Sequence, residues 1–175
     1  MGIRRHISYG RYLIRHKWYV TVECFRHGLI WRGIVHDLDK FLPWRWIPYA
    51  NYFHGPDGTN LSRRDETGYY RPVDVRNEAF RTAVNRHTAT NDHHWEYWIR
   101  DGHTVEMKQS AVKEMICDWR GAGRAQGYKN WRDVRPWFIK NGRKMQFDSS
   151  TRMDIVLYLH AWCGEHTEAS DGVER

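Results

Sequence analysis

The sequence predicts an all-α fold. Apolar residues recur at the helical period in separate stretches, strand signals are scarce, and the turn-forming residues gather mainly in one segment. In the first stretch, Tyr9 to His27, positions 9, 12, 13, 19, 20 and 24 follow the 3.6-residue period, and Gly28 is a natural stop. A second helix is expected from Trp31 through Ile34, Val35, Leu38, Phe41 and Leu42, and Pro43 either ends it or opens the next. A third segment, Trp44 to Phe53, is aromatic and interrupted by Pro48. Residues 55–74 then read as the one long loop, rich in Gly, Pro, Asp and Asn; a loop of that length is either a lid or a variable insertion.

Further helices are expected from Val75 to Thr88, from Lys108 to Arg120 with Gly121 and Gly123 ending it, from Val134 to Asn141 with Gly142 as cap, and from Ser149 or Ser150 to Gly164. The stretch His103 to Met107 reads as a short hairpin edge. The 175 residues suit a single domain, 1–175.

Composition excludes several classes. A hydrophobic fraction of 41% argues against disorder. No apolar run approaches the roughly 18–20 residues of a bilayer span, and Met1 to His6 carry no signal-peptide segment. A cytoplasmic location without a membrane partner is therefore expected. Cys24, Cys117 and Cys163 form no CxxC pair, so neither a disulfide framework nor a thiolate zinc site is expected. Any metal must then be held by histidine and carboxylates, and the chain has 11 histidines.

The sharpest local feature is His36-Asp37-Leu38-Asp39-Lys40. A His–Asp pair in an apolar helix is costly to bury unless paired or metal-bound. Lys40 falls one turn after both, on the same side. His16 lies on the inward stripe of the first helix, Asp118 on the apolar side of the fifth with Glu114 one turn before it, and His87 on the inner face of the fourth. His93 and His94 follow, ahead of Trp95 and Glu96. Imidazoles and carboxylates on converging helices are a ligand set for a borderline or hard divalent ion. Arg120 and Arg124 surround small residues directly after Asp118, which reads either as a phosphate clamp or as a helix end with solvated arginines.

The order His16 … His36-Asp37 … Asp118 resembles the H … HD … D ligand order of the HD-domain metal-dependent phosphohydrolase superfamily. Residues 36–40 resemble its HDxGK variant, with Asp39 in place of Gly, and His93-His94-Trp95-Glu96 is similar to the paired-His motif of dinuclear members with a Trp inserted. More closely, the chain resembles a small, mostly phage-borne family of unknown function that shares HKW at 16–18, WRGxxHDLxKF at 31–41, NxHHWxYW at 91–98 and EMxxDWRGAGRAQG at 114–127.

The resemblance implies a compact HD-like helical bundle. It places His16, His36, Asp37 and Asp118 on a first metal, with Asp37 bridging to a second held by His87 and by His94 or His93; His54 is a competitor there. One or two divalent ions are implied, of Mn, Mg, Co, Fe, Ni or Zn. The implied activity is hydrolysis of a nucleotide or nucleotide-like phosphoester, in the host cytoplasm for a phage protein. Lys40 would stabilise developing charge. Asp39, Glu114 or a free histidine of the 93–94 pair would carry the proton. Arg120, Arg124 and an aromatic such as Trp95, Trp98 or Trp119 would bind substrate.

Two alternatives stand beside this reading. A di-iron oxygenase would use the same ligands. A basic nucleic-acid-binding module would use the net charge of +7 and the excess of Arg over Lys. The nucleic-acid reading is not favoured, because the positive charge reads as spread along the chain. An anionic small molecule is the expected partner, and a homo-oligomer is left open.

Overall fold

The computed structural model describes residues 2–61, 63–69 and 77–164. Among them run seven α-helices, α1 (Ile3–Arg26), α2 (Ile30–Val35), α3 (Pro43–Phe53), α4 (Glu78–Thr88), α5 (Gln109–Ala125), α6 (Arg135–Asn141) and α7 (Ser149–Gly164). The one sheet among them is the antiparallel pair β1 (Ile99–Arg100) and β2 (His103–Thr104), close to the expected hairpin edge. The fold is all-α, as the periodicity predicts.

Helix α1 is the spine. Its inward stripe of Tyr9, Leu13, His16, Val20 and Cys24 is buried along two successive apolar clusters. The first half packs with Tyr49, Tyr52, Phe80 and Val84 of α3 and α4. The second half packs with Val112, Ile116, Ile155 and Leu159 of α5 and α7. His16 falls between Leu13 of one cluster and Val20 of the other, so a polar group stands where the two apolar bodies meet.

Several boundaries differ from expectation, each for a local reason. The second helix does not continue through the His–Asp pair. Helix α2 ends at Val35, where the Lys17 ammonium donates to the carbonyls of Ile34 (2.7 Å) and His36 (2.9 Å) and captures the chain end. Asp37 then takes a left-handed conformation, φ +54°, and Leu38–Phe41 form a 3₁₀ turn. Pro48 lies inside α3 without breaking it. Gly121 and Gly123 do not end the fifth helix, which continues to Ala125. Gly121 instead marks the closest approach of α5 to α1, because a Cβ there would stand 2.8 Å from the Val20 nitrogen. Gly142 does cap α6, its amide donating to the Phe138 carbonyl, but in right-handed conformation, so that the chain passes directly into a 3₁₀ turn.

In the long segment, Asp57 and Asp65 each fold the chain by accepting from residues two ahead, Thr59 and Thr67. Residues 70–76, which include the remainder of the expected loop and the expected start of the fourth helix at Val75, lie outside the described residues. Helix α4 is capped by the Asn77 side chain, which accepts from the Phe80 amide at 3.0 Å.

Candidate metal centre

Side chains from five places converge on Asp37. His16 comes from the middle of α1, His36 and Asp37 from the break after α2, His87 from the end of α4, His93 and His94 from the turn after α4, and Asp118 from α5. All of these are buried except His94 and Asp118, which are partly so.

The donor atoms fall into two sets that share one carboxylate. Asp37 Oδ2 lies 3.5 Å from His16 Nε2 and 3.4 Å from His36 Nε2, and Asp118 Oδ1 lies 3.2 and 3.6 Å from the same nitrogens. Asp37 Oδ1 lies 3.1 Å from His87 Nε2 and 3.6 Å from His93 Nε2, and His94 Nε2 is 2.9 Å from His87 Nε2. Donors bound at about 2.1 Å to one ion stand about 3.0 Å apart at adjacent octahedral corners and about 3.4 Å apart at tetrahedral ones. The pairs given above, at 2.9 to 3.6 Å, come close to that spacing in both sets.

The chemistry of the donors fits a cation as well. His36 Nε2, Asp37 Oδ1 and His93 Nε2 are buried and have no hydrogen-bond partner among the described residues. Behind the rings, carboxylates fix the orientation. His36 Nδ1 lies 2.8 Å from Glu114 Oε1, and His87 Nδ1 lies 2.8 Å from Asp39 Oδ2. A carboxylate only accepts, so each Nδ1 carries a proton and each Nε2 faces Asp37, where it would offer its lone pair to a bound cation. Acceptors converging in this way need a cation among them or must take up protons. Buried His/Asp clusters able to hold a metal ion are thus present.

Proton affinities follow the same geometry. Burial would lower the His36 imidazole, but Asp37, Asp118 and Glu114 outweigh it and push it up to about 10. Burial opposes ionisation of Asp37, yet His36, Lys40 and His87 hold its carboxyl well below the usual range. Burial followed by the neighbouring His94 lowers His93, and burial with His87 and Lys40 lowers His94 to about 3. Both stay neutral, the form a metal requires. Burial pushes the Glu96 carboxyl up to about 7.

Of the expected site residues, His16, His36, Asp37, Asp118, His87, His93 and His94 stand together, and Lys40 reaches Asp37 Oδ2 at 2.6 Å. Glu114 and Asp39 stand behind the imidazoles instead of facing the centre. Glu114 receives His36, His93 and the Arg32 guanidinium, while Asp39 receives His87, Arg45 at 3.0 Å and Asn91 at 3.2 Å. Both are placed to position those rings, and Glu114 also forms a donor group with His36 and His93. His54, at the end of α3, packs beside the Tyr9 ring and belongs to neither donor set.

The expected Arg120–Arg124 clamp is not formed. Arg120 lies two residues beyond Asp118, about 200° around the helix. It is 2% exposed, bound to Glu23 at 3.2 Å and to the Trp162 carbonyl at 3.1 Å. Arg124 is held between the rings of Tyr19 and Trp131, at 4.2 and 4.7 Å from their centres. Trp119 packs on Phe138, Trp98 donates to the Asp92 carbonyl, and Trp95 packs half-buried against the second apolar cluster.

Sequence reasoning missed the outer arginines. Arg32 bridges Glu114 and Asp92, and Arg45 ties Asp39 to Thr90. Arg32 lies one turn before His36, a spacing visible in the sequence; Arg45 carries no such signal.

Together the fold and site define an all-α protein with a buried histidine–carboxylate centre. The chain belongs to a family of unknown function (DUF5662), whose model matches residues 5–159. No curated protein and no solved structure matches the chain.

Proposed function

We propose that this protein is a metal-dependent phosphohydrolase of HD type, acting on a nucleotide-like phosphoester. The observation that carries the reading is Asp37, whose two oxygens face two histidine sets from a left-handed backbone position. Such backbone placement in a non-glycine residue costs of order 1–3 kcal/mol and is retained where geometry matters. A divalent ion held by these residues would acidify water and offset phosphoryl charge.

The chain's own residues do the rest. His16, His36, His87, His93 and His94 would present ring nitrogens to the ion, and Asp37 and Asp118 would supply the negative charge. Glu114 and Asp39 fix the rings, with Arg32 and Arg45 holding those carboxylates in place. Lys40, beside Asp37, would neutralise charge building on the phosphoryl oxygens. The basic balance of the chain suits an anionic substrate.

The test is a panel of nucleoside mono-, di- and triphosphates and cyclic dinucleotides, assayed for phosphate or nucleotide release with Mn²⁺, Mg²⁺, Co²⁺, Fe²⁺ or Ni²⁺. Release that disappears in His36→Ala and Asp37→Ala supports the reading. Oxygen consumption with iron and no hydrolysis would replace it with the di-iron oxygenase.

A further inference from the structure

The first 54 residues carry nine Lys and Arg against three acids, a net +6 of the chain's +7. The positive excess is thus concentrated in α1 to α3 rather than spread along the chain. None of the three acids is left to balance it from outside. Glu23 is buried against Arg26 and Arg120, Asp37 lies in the candidate metal centre, and Asp39 is bound by His87 and Arg45.

The same region carries most of the exposed apolar surface. Of the twenty-one large hydrophobic side chains exposed among the described residues, fourteen lie between Ile3 and Ile47. On α1 they form a second stripe, turned away from the core. Ile3, Ile7, Ile14, Trp18 and Phe25 fall within about 60° of helix circumference, and Arg4, Arg11 and Arg15 run along one edge. At the other edge, Lys17 and Thr21 hydrogen-bond to carbonyls of Gly33, Ile34 and His36. The exposed Ile34 and Val35 therefore adjoin the stripe. Trp18 is 63% exposed and Trp31 is 75% exposed.

Monomeric soluble proteins seldom leave such a surface uncovered. A second copy of this chain is a poor occupant. Antiparallel two-fold pairing through α1 would set one arginine row against the other, and parallel pairing would set it against the Lys17 and Thr21 edge, with no accessible carboxylate on the helix in either case. The partner must bring negative charge and accept apolar side chains over a broad face. Exposed Trp and Ile bordered by arginine is the composition of a helix lying in a bilayer interface. We propose that this face docks on an anionic lipid surface, its apolar stripe seated among the acyl chains and its arginines at the lipid phosphates. The expected absence of a membrane partner rested on the lack of a spanning segment, and no helix among the described residues is long and apolar enough to cross a membrane. Docking of this kind needs no span. Val35 and Leu38, which flank His36 and Asp37, are exposed on the same region, so the docked face borders the candidate metal centre.

The proposal is independent of the metal reading and is tested by co-sedimentation with phosphatidylcholine vesicles, with and without phosphatidylglycerol. Binding is expected only with phosphatidylglycerol and falls as salt is raised. Arg11→Ala and Arg15→Ala each weaken it about fivefold, and Trp18→Glu weakens it about tenfold or more. Asp37→Ala, folded by circular dichroism, binds vesicles like the wild type. Failure to bind anionic vesicles, or binding indifferent to Trp18→Glu and to the arginines, overturns the proposal. So does a solution dimer that Trp18→Glu converts to monomer, which would make a second copy the occupant.

Discussion

His36 Nδ1 and Glu114 Oε1 stand 2.8 Å apart across 78 residues of chain, and this contact decides which way the His36 ring faces. Glu114 is itself held by Arg32, so the orientation of a candidate ligand is set by an ion pair at the edge of the fold. Glu114→Gln keeps the size of the side chain but removes the charge that pins the proton on Nδ1. It should weaken divalent-ion binding about 10–100-fold, as loss of an outer-shell carboxylate does. Competition against a chelator reads this directly, and unchanged affinity would show that Glu114 serves packing alone.

Arg120 provides the opposite case. Its guanidinium is buried with Glu23, so Arg120→Ala breaks a buried ion pair and leaves the Glu23 carboxylate to the half-exposed Arg26 alone. A loss of about 3–5 kcal/mol of stability is expected in urea unfolding, together with unchanged metal affinity in the folded fraction. Selective loss of substrate affinity with full stability would restore the phosphate clamp.

Gly121 controls the distance between α1 and α5, and with it that between His16 and Asp118. Gly121→Val must push the helices apart, at about 1–3 kcal/mol. Thermal unfolding should show that loss, and metal binding should weaken in the same variant. A variant as stable as wild type would mean that the close approach is not retained in solution.

Asp65 accepts from Lys144 at 2.8 Å, from the Thr67 hydroxyl at 2.6 Å and from two amides, and these contacts, led by Lys144, hold its carboxyl well below the usual range. A depressed carboxyl stabilises the fold above its unfolded pKa, and that contribution is lost as pH falls through the folded value. The contact between residues 63–69 and the turn after α6 should therefore loosen only in strong acid. Lys144→Met should raise the Asp65 titration toward its ordinary value in carboxyl NMR; an unmoved titration would contradict the pairing.

The inward stripe of α1 and the histidines of the centre were legible because burial imposes a period on the chain, and because few residue types can bind a hard cation. The break at Asp37 was not legible. Ile34, Val35, Leu38, Phe41 and Leu42 keep a helical spacing, but all are exposed, so their pattern records a surface rather than a continuous buried helix. Gly121 read as a stop because glycine serves both as terminator and as point of close approach, and only contact with Val20 separates the two. The burial of Arg120 depends on Glu23, 97 residues away, a pairing that no local pattern encodes.

We propose that Asp37 is shared by two metal ions, one in each donor set. The most direct test is equilibrium titration with Mn²⁺ and Fe²⁺, with bound metal counted by elemental analysis. Two ions per chain are expected in the wild type, with loss of one in His16→Ala, loss of the other in His94→Ala, and loss of both in Asp37→Ala. A wild-type protein that binds no divalent ion, or an Asp37→Ala variant that keeps both, would contradict it.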